Sequence, residues 1–158
     1  MQRVIKAEGR RQQAEVVSYF CLLLSAFCLS SGADCTAISA LACGTTAASL
    51  TSSDCTASDG SQYRLWQFSG KSGDSVTIEM HSTAFDTYLA LLDPSGVPVA
   101  DSDDAAAGVT DSTITFTLTT TGTWTVVANS LAASQTGNYT ISLSCPSATT
   151  PRRRAVVH

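Results

Sequence analysis

Five separated runs in this sequence alternate apolar and polar residues with a period of two, and no stretch from residue 34 to 145 keeps a convincing helical period. Trp66 and Phe68 alternate with Leu65 and Gln67, and Val76, Ile78 and Met80 with Thr77, Glu79 and His81. Ile114, Phe116 and Leu118 alternate with threonines, as do Trp124, Val126 and Ala128 with Thr125, Val127 and Asn129. Tyr139, Ile141 and Leu143 close the series. A period of two sends successive side chains to opposite faces, so each run buries one face and wets the other. Tyr88-Leu89-Ala90-Leu91-Leu92 is apolar throughout, as expected of a central strand covered on both faces.

The breaks between runs have turn chemistry: Ser69-Gly70-Lys71-Ser72-Gly73-Asp74, Asp93-Pro94-Ser95-Gly96, Thr120-Thr121-Gly122 and Gln135-Thr136-Gly137-Asn138. Glycine supplies positive φ and proline presets the first turn angle. Short strands at this spacing imply an all-β sandwich or barrel. Residues 34–61, rich in Ser, Thr, Ala and Gly, add a lead-in and one edge strand near Thr45–Thr51.

Ahead of this body stand Arg3, Lys6, Arg10 and Arg11, then the apolar run from Val16 to Leu29, then Ser30-Ser31-Gly32-Ala33. Basic, apolar and small-residue regions in that order are the three parts of a secretory signal. The apolar run falls short of the roughly 20 residues a bilayer core requires. The expected layout is a signal peptide over 1–33, a lead-in over 34–43, a β-domain over 44–145 and a disordered basic tail over 146–158, which carries Arg152, Arg153 and Arg154. Export would place the product in the extracellular space or periplasm, with no membrane attachment after signal cleavage.

Charge narrows the partners. Residues 34–147 hold eleven acids against two cations, Arg64 and Lys71. Such a body repels phosphate backbones, which excludes nucleic acid, and it suits solubility and divalent cations. Four cysteines remain in the expected exported chain: Cys35, Cys43, Cys55 and Cys145. An even number in a small exported domain reads as two disulfides, and no C-x-x-C pair supports a metal site.

Taken in order, Gly70 to Ile78, Ser82-Thr83-Ala84-Phe85-Asp86-Thr87-Tyr88-Leu89-Ala90-Leu91, Pro94-Ser95-Gly96, Ala100-Asp101-Ser102-Asp103-Asp104, Asp111 to Ile114, Thr121 to Val126 and Gly137 to Ile141 resemble the bacterial pre-peptidase C-terminal domain over about residues 44–145. The resemblance implies a jelly-roll-like antiparallel β-sandwich of about eight strands. It also implies a non-catalytic accessory role, since such domains usually trail secreted peptidases. One position departs from the pattern: where the family often has an Asp, two residues before the aromatic matched by Trp66, this sequence has Arg64.

Asp93, Asp101, Asp103, Asp104 and Asp111 fall in one turn-rich stretch and are the candidate calcium ligands, because calcium takes six to eight oxygens, largely from carboxylates and carbonyls. Their spacing is not that of a helix-loop-helix site, and the simpler reading is a solvated loop whose Asp side chains bond their own turns. Asp86 reads as a turn cap accepting backbone N–H groups. Catalysis finds little footing. His81 is the one histidine of the domain, on the wet face of its strand, and no G-x-S-x-G elbow accompanies it. Thr113, Thr115, Thr117 and Thr119 form a hydroxyl ladder of a kind that could hold a polymer or lattice, although threonine is also simply favoured on wet strand faces.

First and last strands of such sandwiches commonly lie side by side. If Thr45–Thr51 runs antiparallel to Tyr139–Ser144, Cys43 and Cys145 meet at adjoining strand ends and Cys35 is left to Cys55. The rival pairing, Cys35 with Cys43 and Cys55 with Cys145, holds if the first strand pairs elsewhere. The function expected is a non-enzymatic binding module for an extracellular protein or polysaccharide surface. A chaperone-like or inhibitory partner of a separate secreted peptidase is the alternative, and a small hydrolase comes last. Mass spectrometry of the exported protein is expected to find a chain beginning within a few residues of Asp34. Recovery of Cys21 and Leu22 in the exported product would contradict the cleaved signal.

Overall fold

The computed structural model describes residues 37–104 and 109–145. The expected signal peptide and basic tail, and Cys35, lie outside the described residues. Ten strands follow in chain order: β1 (Ile38–Ala40), β2 (Gly44–Leu50), β3 (Cys55–Thr56), β4 (Ser61–Gly70), β5 (Ser75–His81), β6 (Thr87–Leu92), β7 (Pro98–Ser102), β8 (Ser112–Thr117), β9 (Gly122–Ala133) and β10 (Gly137–Ser144). They form two sheets, one ordered β1-β4-β9-β6-β7 with β3 also on β4, the other β2-β10-β5-β8. The all-β sandwich read from the sequence is therefore the fold.

The alternation explains the layering. Ile78, Met80, Ile141 and Leu143 from one sheet meet Trp66, Phe68, Leu89, Leu91, Trp124 and Val126 from the other in a single core. Trp124, Ile78 and Ile141 are fully enclosed. At one end Thr87 ties the sheets: its hydroxyl lies 2.7 Å from that of Ser112, a buried pair that satisfies both groups. Gly70 is needed for close packing, since a Cβ there would run into the side chain of Leu118.

The count exceeds the expected eight because two very short strands, β1 and β3, extend the edge of β4. β1 pairs with β4 in parallel, Ile38 beside Leu65, while β3 pairs with it antiparallel, Cys55 beside Tyr63. Three-residue and two-residue strands are too short to show a period, so no local pattern announced them. Thr119 lies beyond the end of β8, so the threonine ladder on that strand ends at Thr117.

β2 and β10 pair antiparallel, with Gly44 opposite Leu143 and Leu50 opposite Gly137. Cys43 and Cys145, each just outside its strand, are joined by a disulfide with Cα atoms 5.6 Å apart. β4's other edge is taken by β9, so β1 and β3 lie along the same edge of β4. Ile38 stands beside Leu65 and Cys55 beside Tyr63 on that edge, so the described start of the chain lies near Cys55, and two residues separate Cys35 from β1 in the sequence. A non-reducing peptide map is expected to link Cys43 to Cys145 and Cys35 to Cys55. A peptide joining Cys55 to Cys145 would contradict this strand order.

Candidate functional site

The two sheets turn very different faces outward. On the β4-β9-β6 sheet, Tyr63, Leu65, Tyr88, Ala90, Leu92 and Val127 point away from the core and make a second apolar cluster. Tyr88 is 5 % exposed and Val127 1 %, with Ala90 and Leu92 also buried, while Tyr63 and Leu65 are partly exposed. The uninterrupted apolar sequence of β6 reflects it: all six residues are buried.

The outer face of the β2-β10-β5-β8 sheet is open and carries hydroxyls. One row runs across all four strands as Thr45, Ser142, Glu79 and Thr113. The next is Ser144, Thr77 and Thr115, and beyond it Ser75 stands opposite Thr117. Toward the other end Ala47, Thr140 and His81 form a row, with Ser49 and Asn138 past it. These hydroxyls hold one another in place. Thr77 and Thr115 approach to 3.1 Å between their hydroxyl oxygens, and Ser142 donates to Glu79 at 3.2 Å. Glu79 is the one charge within the array. His81 closes its corner, with Nδ1 2.7 Å from both carboxylate oxygens of Asp111. Among the described residues no Ser or Thr hydroxyl bonds to His81, so its contacts include a carboxylate and no nucleophile.

A cleft of about 640 Å³ adjoins this face. Thr140, His81 and Asn138 belong to its wall together with Arg64, Trp66 and Tyr139. Arg64, the residue at the family's frequent Asp position, lies with Nε 3.4 Å from Asp54 and its guanidinium carbon 5.9 Å from the Trp66 ring. Trp66 Nε1–H donates to the Tyr139 hydroxyl at 3.1 Å, which satisfies two buried polar groups. Burial pushes the Tyr139 hydroxyl's pKa up, against the lowering pull of that bond and of Arg64.

The acidic residues do not form one cluster. Asp93 caps the turn after β6, accepting from the N–H groups of Ser95 at 2.8 Å and Val97 at 2.9 Å. That places it a strand's length, about 20 Å, from the start of β6. Asp101 projects from β7 and accepts from the Tyr88 hydroxyl at 3.2 Å; burial raises its pKa, and so does the nearby Asp103, while the Tyr88 bond lowers it. Asp111 is engaged with His81 on the other sheet. Asp103 and Asp104 remain beside Asp86. Among the described residues, no three His, Cys, Asp or Glu side chains are arranged to hold a metal ion.

Among the described residues no backbone N–H donates to the Asp86 carboxylate, so the turn cap read from the sequence is not seen there. The Asp86 main-chain carbonyl accepts from Leu131, while carboxylate Oδ1 is buried and has no hydrogen-bond partner among the described residues. Burial, then the charges of Asp104 and Asp103, raise its pKa above the ordinary 3.8. Like charges and burial both disfavour the ionised form, so this end of the sandwich is electrostatically crowded.

Residues 62–130 match the sequence model of the bacterial pre-peptidase C-terminal domain. No curated protein matches the chain in sequence. Among solved structures, the pre-peptidase C-terminal domain of a collagenase from Bacillus anthracis is similar at TM-score 0.52 and 13 % identity, over 73 % of this chain and 100 % of that one. Periplasmic inhibitors of g-type lysozyme from Aeromonas hydrophila and Salmonella Typhimurium each give TM-score 0.48 at 12 % identity, over 69 % of this chain and 97 % of theirs. Among the described residues no helix is long and apolar enough to cross a membrane. In sequence over residues 62–130, and in fold over the described strands, the chain resembles the bacterial pre-peptidase C-terminal domain.

Proposed function

We propose that the chain is an exported, non-catalytic binding module that attaches to an extracellular surface or substrate. The observation that carries this reading is the open hydroxyl face of the β2-β10-β5-β8 sheet, a broad surface on a rigid disulfide-closed sandwich. Resemblance to an accessory domain family supports it. His81 and Asp111, the nearest approach to a catalytic pair, lack a bonded hydroxyl nucleophile among the described residues, as a Ser-His-Asp mechanism would require. The chain from Asp34, immobilised and exposed to insoluble material from a culture, is expected to retain surface components without degrading them. Turnover of a peptide or ester that disappears in His81→Ala would contradict the reading.

Calcium belongs to the same proposal, drawn to Asp103 and Asp104 of the five acids expected as its ligands, with Asp86 adding charge nearby and no preformed set of three ligands among the described residues. The support is the buried Oδ1 of Asp86, without a hydrogen-bond partner among the described residues, and the charges of Asp104 and Asp103 that disfavour its ionisation, which a divalent cation nearby would offset. Asp93 is too far along β6 to join them. The pH dependence has a definite sign. Because Asp86's pKa is raised in the folded chain, its ionisation costs stability as pH rises above 3.8. Calcium would bind the ionised form, so its effect grows with pH. Millimolar calcium is therefore expected to raise the melting temperature at pH 7 more than at pH 4, and Asp103→Asn with Asp104→Asn to remove the rise. An unchanged melting temperature at pH 7 would contradict calcium binding.

A further inference from the structure

We propose that the hydroxyl face of the β2-β10-β5-β8 sheet binds insoluble neutral polysaccharide, through many weak hydroxyl contacts rather than one deep pocket. This rests on the binding-module reading and names the ligand class and the face.

Charge selects the class. An ordinary wet face of a soluble domain mixes lysines, arginines and acids. Here the array carries Glu79 alone and no cation, with the His81–Asp111 pair at its corner. What the face offers a ligand is therefore almost entirely neutral hydroxyls. The acidic body repels anionic polymers, and the missing cations leave nothing on the face to hold them. A protein partner is less well served by the array itself: stable protein interfaces anchor on aromatic or Arg side chains, and those groups, Arg64, Trp66 and Tyr139, line the adjoining cleft, while within the array only Ala47 is apolar. The apolar face on the other sheet is mostly buried, with only Tyr63 and Leu65 partly exposed.

Geometry selects the physical state. Neighbouring strands stand about 4.7–4.9 Å apart, and alternate residues along a strand about 6.6–6.8 Å apart. The result is a two-dimensional lattice of donors and acceptors. Thr77, Thr115, Ser142 and Glu79 are already oriented by bonds to one another, so little side-chain freedom is left to lose on binding. Each hydroxyl contact only replaces one with water, so a single sugar gains almost nothing. A polymer whose hydroxyls are fixed in an insoluble phase makes many contacts at once without the ordering cost of a free chain. The right-handed twist of a four-stranded sheet follows a polymer chain better than it follows the plane of an ice crystal.

The test is depletion from solution by phosphoric-acid-swollen cellulose and by colloidal chitin, using the exported chain. Thr77→Ala with Thr115→Ala and Ser142→Ala removes the centre of the array. Val97→Ser, at an exposed turn of the other sheet, is the control, and near-UV circular dichroism with melting temperature reports folding of each variant. At least one polymer is expected to retain the parent chain, in low and high salt alike, and the folded triple variant should bind about tenfold less tightly while the control is unchanged. Equal retention of the folded triple variant would overturn the assignment of the face. If the triple variant does not fold, Thr115→Ala alone, at an exposed position, replaces it, with a loss of retention expected and equal retention overturning the proposal. Failure of both polymers to retain the parent overturns the ligand class, as does ice shaping without polymer retention. Capture of a culture protein in the same preparation, with no polymer retained, would sink this inference and leave the binding-module reading standing.

Discussion

The pairing of the last strand, β10, with β2 holds the sandwich closed. β10 lies between β2 and β5, so without it the β2-β10-β5-β8 sheet would split into an isolated strand and a hairpin-like pair. Its inward residues Tyr139, Ile141 and Leu143 are all core members, so losing the strand would also open the core. The Cys43–Cys145 bridge sits at the end of this ladder, spanning a sequence separation of 102. On the chain-entropy account a loop of that length stabilises by about 4–5 kcal/mol, before any strain. Long-range β pairing is costly to form, and a covalent link between its ends removes much of that cost from the unfolded chain.

With the sheet closed, the character of its faces follows from alternation alone. Inward side chains of β5, β8 and β10 are Val, Ile, Met, Phe, Tyr and Leu apart from the buried Ser112; outward ones are mostly Ser and Thr, with Glu79, His81 and Asn138 the exceptions. β6 breaks this rule by being apolar on both sides, and the structure buries both. One sheet therefore carries a largely buried apolar cluster on its outer surface, while the other keeps its outer surface wet. The cleft at Arg64 and Trp66 opens beside the wet face, sharing Thr140 and His81 with it.

Much of this was legible in the sequence. Period-two runs gave the strands and their inward faces, and the flanking positions of Cys43 and Cys145 gave the bridge once β2 and β10 were set side by side. What local pattern cannot supply is register between distant strands. Thr77 and Thr115 are 38 residues apart, and only the pairing of β5 with β8 places their hydroxyls together. The same holds for His81 with Asp111. Along the chain, Asp93 and Asp103 look like neighbours in one acidic loop, yet a hairpin of β6 and β7 separates the Asp93 turn from the other end of the sheet. Asp86 differs from the expected cap for another reason: a carboxylate at a strand start usually finds N–H partners, and among the described residues its Oδ1 finds none.

The central claim is that the working surface is the hydroxyl face. Carbene footprinting of the chain free and adsorbed on swollen polysaccharide reads this directly, since it labels side chains rather than backbone amides. The account predicts that adsorption protects Thr77, Thr115 and Ser142 and leaves the Pro94–Val97 turn as reactive as in the free chain. Protection confined to that turn, or to the β6 and β7 side of the sandwich, would contradict it.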